Sequence, residues 1–142
     1  MHLKIDRPVF ESIVRAARRA APLEACGLCG GTAGQVTRFY ELTNADASGE
    51  HYRMLPEEQF AAVKNMRTHD SRLLAIWHSH PATPARMSDE DLRLAFTPET
   101  VYLIVSLAVP SAPDLRGFTL HNGQAETVEL TLVDCEKNKD TP

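Results

Sequence analysis

Cysteine is scarce and odd in number. The three thiols, Cys26, Cys29 and Cys135, make no disulfide framework and suit a reducing, cytoplasmic setting. A long basic run is also missing, and net charge is −4, which argues against nucleic acid as a partner because neutralising phosphate takes clustered Lys and Arg. The arginines of "RAARRA" (Arg15, Arg18, Arg19) read instead as the wet face of a helix. The longest apolar stretch, "VYLIVSLAV", falls well short of the ~20 residues that span a bilayer, so it reads as a buried strand and no membrane partner is expected. The opening "MHLKIDRPVFES" has no h-region of a secretory signal. Internal repeats, low-complexity tracts and linkers are absent too. With 43% hydrophobic residues, the chain has material for one core. The expectation is a single domain over residues 1–135 and a polar, frayed tail over 136–142.

What is present is an alternation of strand and helix patterns. "HLKI" reads as a first strand. Asp6 then caps a helix with Pro8 in its first turn, and Phe10, Ile13, Val14, Ala17 and Ala21 recur at helical spacing until Pro22 stops it. "EACGLCGG" and "VTRFYEL" read as strands, "TNADASGE" as a loop and "HYRML" as a short strand. "PEEQFAAVKNMRTHD" begins a helix whose half-buried face carries Phe60, Val63 and Arg67. "RLLAIWHSH" is a strand ending at Pro81, and "SDEDLRLAF" a short helix. "VYLIVSLAV", "LRGFTLHNG" and "ETVELTLVDC" complete the strands. Such interleaving points to one α/β sandwich.

Within "AIWHSHPATPARMSDED", strand geometry sends residues i and i+2 to one side. His78 and His80 therefore present two imidazoles together, while Trp77 and Ser79 face away. Taken alone, the pair is more simply a half-exposed strand end without a metal. Ser88 and Asp91, before Leu92, Leu94 and Ala95, have the spacing of a capping box. Capping alone justifies both residues, yet it also holds a carboxylate rigidly in space. His78, His80 and Asp91 together form a two-histidine, one-carboxylate set, the ligand number of a catalytic zinc that keeps one position open for water. Glu24, at the entrance of the apolar strand after Pro22, is a candidate base, although a glutamate in such a place is ordinarily just solvated.

"CGLC" has zinc-ribbon or redox spacing, but three residues along a strand put the two thiols on opposite faces. Cys26 and Cys29 therefore read as small buried residues. A nucleobase-deaminase zinc site needs His-x-Glu and Pro-Cys-x-x-Cys, and this chain has His-Ser-His and Leu-Glu-Ala before Cys26. His2, His51, His69 and His121 read as surface residues.

Glu24 in "PLEACGLCGG", then His78-Ser79-His80, seven residues, Ser88, two residues and Asp91 resemble the JAMM (MPN+, Mov34/PAD-1-like) zinc metallopeptidases. Their pattern is an upstream Glu followed by His-x-His-x7-Ser-x2-Asp, and the likeness extends to "PEEQ" and to "LRGFTL" with "ETVELTL". The resemblance implies an α/β fold, a mixed curved β-sheet flanked by helices, similar to cytidine deaminases. It implies one zinc ion per chain with a bound water, held by His78, His80 and Asp91. Glu24 would be the base and Ser88 a stabiliser of the oxyanion. It further implies hydrolysis of a peptide or isopeptide bond following the Gly-Gly tail of a ubiquitin-like protein. A chain this short resembles the minimal bacterial members, which act on ubiquitin-like sulfur-carrier proteins. His51 lies in a region that borders the cleft in such relatives, which makes it a candidate substrate contact. The alternative is a non-catalytic MPN scaffold, whose members lack the zinc ligands. Oligomeric state stays open.

Overall fold

The computed structural model describes residues 1–95 and 99–134, the side chain of Leu94 excepted; Cys135 and the expected tail over 136–142 lie outside these residues. Among the described residues ten elements follow in order: β1 (His2–Asp6), α1 (Arg7–Ala20), β2 (Cys26–Thr32), β3 (Gln35–Leu42), α2 (Pro56–Thr68), β4 (Arg72–His80), α3 (Asp89–Leu94), β5 (Val101–Ser106), β6 (Asp114–His121) and β7 (Gln124–Val133). None of the described helices is long and apolar enough to cross a membrane.

The strands run in the order β1-β3-β2-β4-β5-β6-β7. β1 pairs in parallel with β7 along its whole length and with the start of β3 at Lys4 and Ile5. β4 and β5 are parallel, and the remaining pairs are antiparallel. The sheet is therefore mixed and curved as expected. It is more than one layer of a sandwich, because β1 joins its two ends into a closed barrel.

Side-chain alternation divides the core between the two faces of this sheet. Val9, Ile13, Val14, Ala16 and Ala17 of α1 pack with Cys29, Ala75, Trp77, Leu103 and Val105. Ala62 and Met66 of α2 pack with Cys26, Leu28 and Met54, against which Ile76 and Tyr52 lean. Cys26 and Cys29 thus fall in different cores, as their spacing predicts. The Trp77 indole reaches across Gly27 to donate to the Tyr40 carbonyl at 3.1 Å. A Cβ at Gly27 would lie 1.9 Å from that carbonyl oxygen, so only glycine fits there.

Local expectations needed correction in three places. Asp6 occupies the N-cap of α1, but its carboxylate accepts from Gln35 Nε2 at 2.7 Å and ties the helix start to β3. "HYRML" forms no strand; residues 51–55 end the connection from β3 to α2, held by hydrogen bonds to Asn44. Phe60 is 68% exposed and Arg67 is exposed as well. The buried stripe of α2 runs through Ala62 and Met66 because Met66 seats against Gly30, and Phe60, six residues earlier, points elsewhere.

Candidate metal centre

β4 ends on the face shared with α2, and there it delivers His78 and His80 side by side. The antiparallel register sets Cys26 opposite His78. One step further, Ser79 N donates to Ala25 O at 3.0 Å and Ala25 N donates to Ser79 Oγ at 2.8 Å. This clamp brings Glu24 to the end of β4 beside His80. The Glu24 backbone is held from the other side by Ser48 O, which accepts its N–H at 2.8 Å, and by Asn44 Nδ2, which donates to its carbonyl at 3.1 Å. The Glu24 side chain is buried and its Oε1 has no hydrogen-bond partner among the described residues. Burial pushes its carboxyl up to about 7, with the charge of His80 opposing and that of Asp91 reinforcing.

The loop after β4 is tied back to the sheet where Ser106 Oγ donates to Thr83 O at 2.6 Å and where Ala85 packs with Ile104 and Phe118. It places the Pro84 carbonyl 2.8 Å from His80 Nδ1. A carbonyl only accepts, so Nδ1 carries a proton, and the Nε2 that faces Asp91 would turn its lone pair to a bound metal. The loop then enters α3 through a complete capping box. Asp91 N donates to Ser88 Oγ, and Ser88 N donates to Asp91 Oδ2, each at 3.0 Å. This cap also aims the carboxylate: Asp91 Oδ1 lies 3.2 Å from His78 Nε2, and Oδ2 lies 3.0 Å from His80 Nε2. The two Nε2 atoms are 3.1 Å apart.

Three ligand atoms thus lie within 4.8 Å of one another in a buried cluster. Burial opposes ionisation of Asp91, yet hydrogen bonds from His78 and His80 hold its carboxyl far below the usual carboxylate range. Complete burial keeps His78 neutral. Burial likewise disfavours the charged form of His80, but the hydrogen bonds to Asp91 and to the Pro84 carbonyl, together with the charges of Asp91 and Glu24, outweigh it and raise this imidazole. Two imidazole nitrogens and one carboxylate are a donor set that suits zinc and leaves a coordination position open. The unpaired Glu24 oxygen nearby fits a site that holds water or substrate rather than a fourth protein ligand.

Residues 6–121 match the family described as prokaryotic homologs of the JAB domain. The chain belongs to this JAB, or JAMM/MPN, family. A CysO-cysteine peptidase from Mycobacterium tuberculosis is 33% identical over 134 residues, 93% of this chain and 92% of the relative. A probable TtuB-protein conjugate cleaving protease from Thermus thermophilus is 31% identical over 132 residues, covering 92% of this chain and 82% of that one. The solution structure of a protein from Desulfitobacterium hafniense is 43% identical, covers 96% of both chains and superposes with a TM-score of 0.88. The present chain is a peptidase of this family.

Of the residues singled out in the sequence, the fold brings His78, His80, Asp91 and Ser88 into direct contact and Glu24 within electrostatic reach. His51 stands apart, paired with Asp46 at 3.1 Å in the loop before α2. His2, His69 and His121 are exposed. The sequence reading passed over Tyr52, whose ring stacks on His78 with centroids 4.7 Å apart and planes 29° from parallel. It also passed over Asn44, whose side chain holds the backbone of Glu24, His51 and Arg53. An Asn within "TNADASGE" carries a turn signal, but nothing in its spacing announces a hub.

Proposed function

We propose that the chain is a zinc metallopeptidase, working as one domain over residues 1–135, that cuts the bond following the Gly-Gly tail of a ubiquitin-like sulfur-carrier protein. The convergence of His78, His80 and Asp91 beside the buried, unpaired Glu24 carries this reading. Similarity to a CysO-cysteine peptidase and to a probable TtuB-protein conjugate cleaving protease supports a carrier conjugate as substrate. The free thiols Cys26 and Cys29 fit a reducing compartment such as the cytoplasm.

His78, His80 and Asp91 would hold the ion. When bound, zinc supplies Lewis acidity and a water acidic enough to be a nucleophile near neutral pH. Glu24, poised near neutrality by burial, takes the proton of the attacking water as general base and returns it to the leaving amine as general acid. Ser88 Oγ already accepts from Asp91 N, so its own proton is free to be donated to the oxyanion that develops on the scissile carbonyl. Glycines preceding the bond carry no side chain to obstruct that approach.

The test compares wild type with Glu24→Gln for zinc content and for hydrolysis of a Gly-Gly-tailed carrier extended by one residue. Zinc retained with hydrolysis lost is the expected result for the variant. A variant that keeps both removes Glu24 from its role, and a wild type that takes up no zinc removes the metallopeptidase mechanism.

A further inference from the structure

We infer that Tyr52 is a positioning residue for His78, its ring taking the place of the hydrogen bond that orients the other metal-facing imidazole. The inference rests on the metal-centre reading above and extends it to a residue outside the His-x-His-x7-Ser-x2-Asp pattern.

The two histidines are supported differently. His80 has its ring fixed at the far nitrogen, where Nδ1 meets the Pro84 carbonyl at 2.8 Å. His78 Nδ1 is buried and has no hydrogen-bond partner among the described residues. Metal-ligating histidines ordinarily gain their orientation from a hydrogen bond at the nitrogen away from the metal. Among the described residues nothing of the kind holds His78, so rotation of its ring is restrained by packing. The Tyr52 ring supplies that contact, face to face at 4.7 Å.

A stacking partner orients a ligand only if it is itself held, and Tyr52 is held on both sides. His51 O accepts from Asn44 Nδ2 and Arg53 N donates to Asn44 Oδ1, each at 3.1 Å, while Ala45 N donates to Arg53 O at 2.8 Å. The same Asn44 amide donates to Glu24 O. One loop side chain therefore registers both the proposed base and the ring against which a proposed ligand rests. Burial, reinforced by the charge of Asp91, raises the Tyr52 phenol above its ordinary range, so the ring stays neutral beside the site.

The experiment measures zinc affinity by competition with a chromophoric chelator, together with the visible spectrum of the cobalt-substituted protein. It uses wild type, Tyr52→Phe, Tyr52→Leu and Met54→Ala. Phenylalanine keeps the face and is expected to bind zinc within about threefold of wild type, whereas leucine is expected to weaken binding by about 10–100-fold and to shift the cobalt bands. Met54, buried in the same segment, is the control for general loosening. Its alanine variant is expected to lower the melting temperature of the metal-free protein and leave zinc affinity unchanged. Tyr52→Met, also non-aromatic, replaces the leucine variant if that one does not fold. Equal affinity in wild type and the non-aromatic variant overturns the inference, as does equal weakening by Met54→Ala. Absence of zinc binding in wild type instead overturns the metal-centre reading, and this inference with it.

Discussion

Two buried carboxyl groups at the centre have opposite proton affinities. Asp91 accepts hydrogen bonds from two imidazoles and one backbone N–H and stays ionised. Glu24 has an oxygen with no partner among the described residues and is pushed from 4.5 to about 7. Environments that separate titratable neighbours in this way assign them different tasks, here ligand and base. In the proposed mechanism, Glu24→Gln lowers kcat by about 10²–10⁴-fold with zinc content unchanged, read by steady-state kinetics beside metal analysis. A second consequence concerns stability without metal. Below pH 4.5 Glu24 carries its proton folded or unfolded, so it adds no pH-dependent penalty. As pH rises through 4.5 toward 7, the unfolded chain releases that proton more readily than the folded one, and stability falls. The loss amounts to about 2 kcal/mol once partial hydration of the carboxyl is allowed for. Urea unfolding of the chelated protein is therefore expected to show Glu24→Gln more stable than wild type at pH 8 by that amount, with the gap closing near pH 4.5. A constant gap across that range would contradict the assignment of the shift to Glu24.

Among elements, the junction of β2 with β4 does the most to place the site. Ser79, facing away from the metal-binding side, accepts the buried Ala25 N–H next to Glu24. Ser79→Ala is expected to cost about 1–3 kcal/mol by leaving that donor unpaired, measured by chemical denaturation, and to lower kcat through displacement of Glu24. At α3, Ser88→Ala removes the cap acceptor and is expected to cost about 1 kcal/mol in the same assay. These elements also show what sequence can disclose. β4, the capping box and the opposed cysteines were legible because period-two alternation and cap chemistry are local rules. "HYRML" misled because its strand-like composition is overridden by hydrogen bonds to Asn44. Phe60 misled because the packed face of α2 is set by the fit of Met66 against Gly30 rather than by side-chain size. Glu24 was found by its place in a pattern, whereas its burial depends on strand neighbours 54 residues away. Tyr52 left no periodic trace, since its contact with His78 exists only after the loop has folded.

Over the whole molecule, closure is non-local. β1 pairs with β7 through partners more than 120 residues distant in sequence, and no repeat or turn signal foretells such a pairing. Barrel closure protects strand edges that would otherwise recruit other chains. On this frame a metal that binds only the folded protein stabilises it by mass action. Zinc at 100 times its dissociation constant is expected to add about 2.7 kcal/mol to the unfolding free energy, and a chelator to remove it, followed by thermal melting. An unchanged melting temperature would count against a folded-state metal site.

Asp91 belongs at once to a six-residue helix and to the proposed ligand set. A helix that short cannot persist alone, so its cap and its tether to the sheet keep it formed. The ion's escape route is then set by local breathing rather than by loss of the whole fold. Freeing Asp91 requires opening the first turn of α3, where Leu92 N bonds Ser88 O at 2.9 Å. Hydrogen exchange at the Leu92 amide and zinc release to a chelator are expected to share one temperature dependence, and saturating zinc to slow that exchange while leaving amides of β6 and β7 untouched. The cap is in that sense a clock for the metal's residence time.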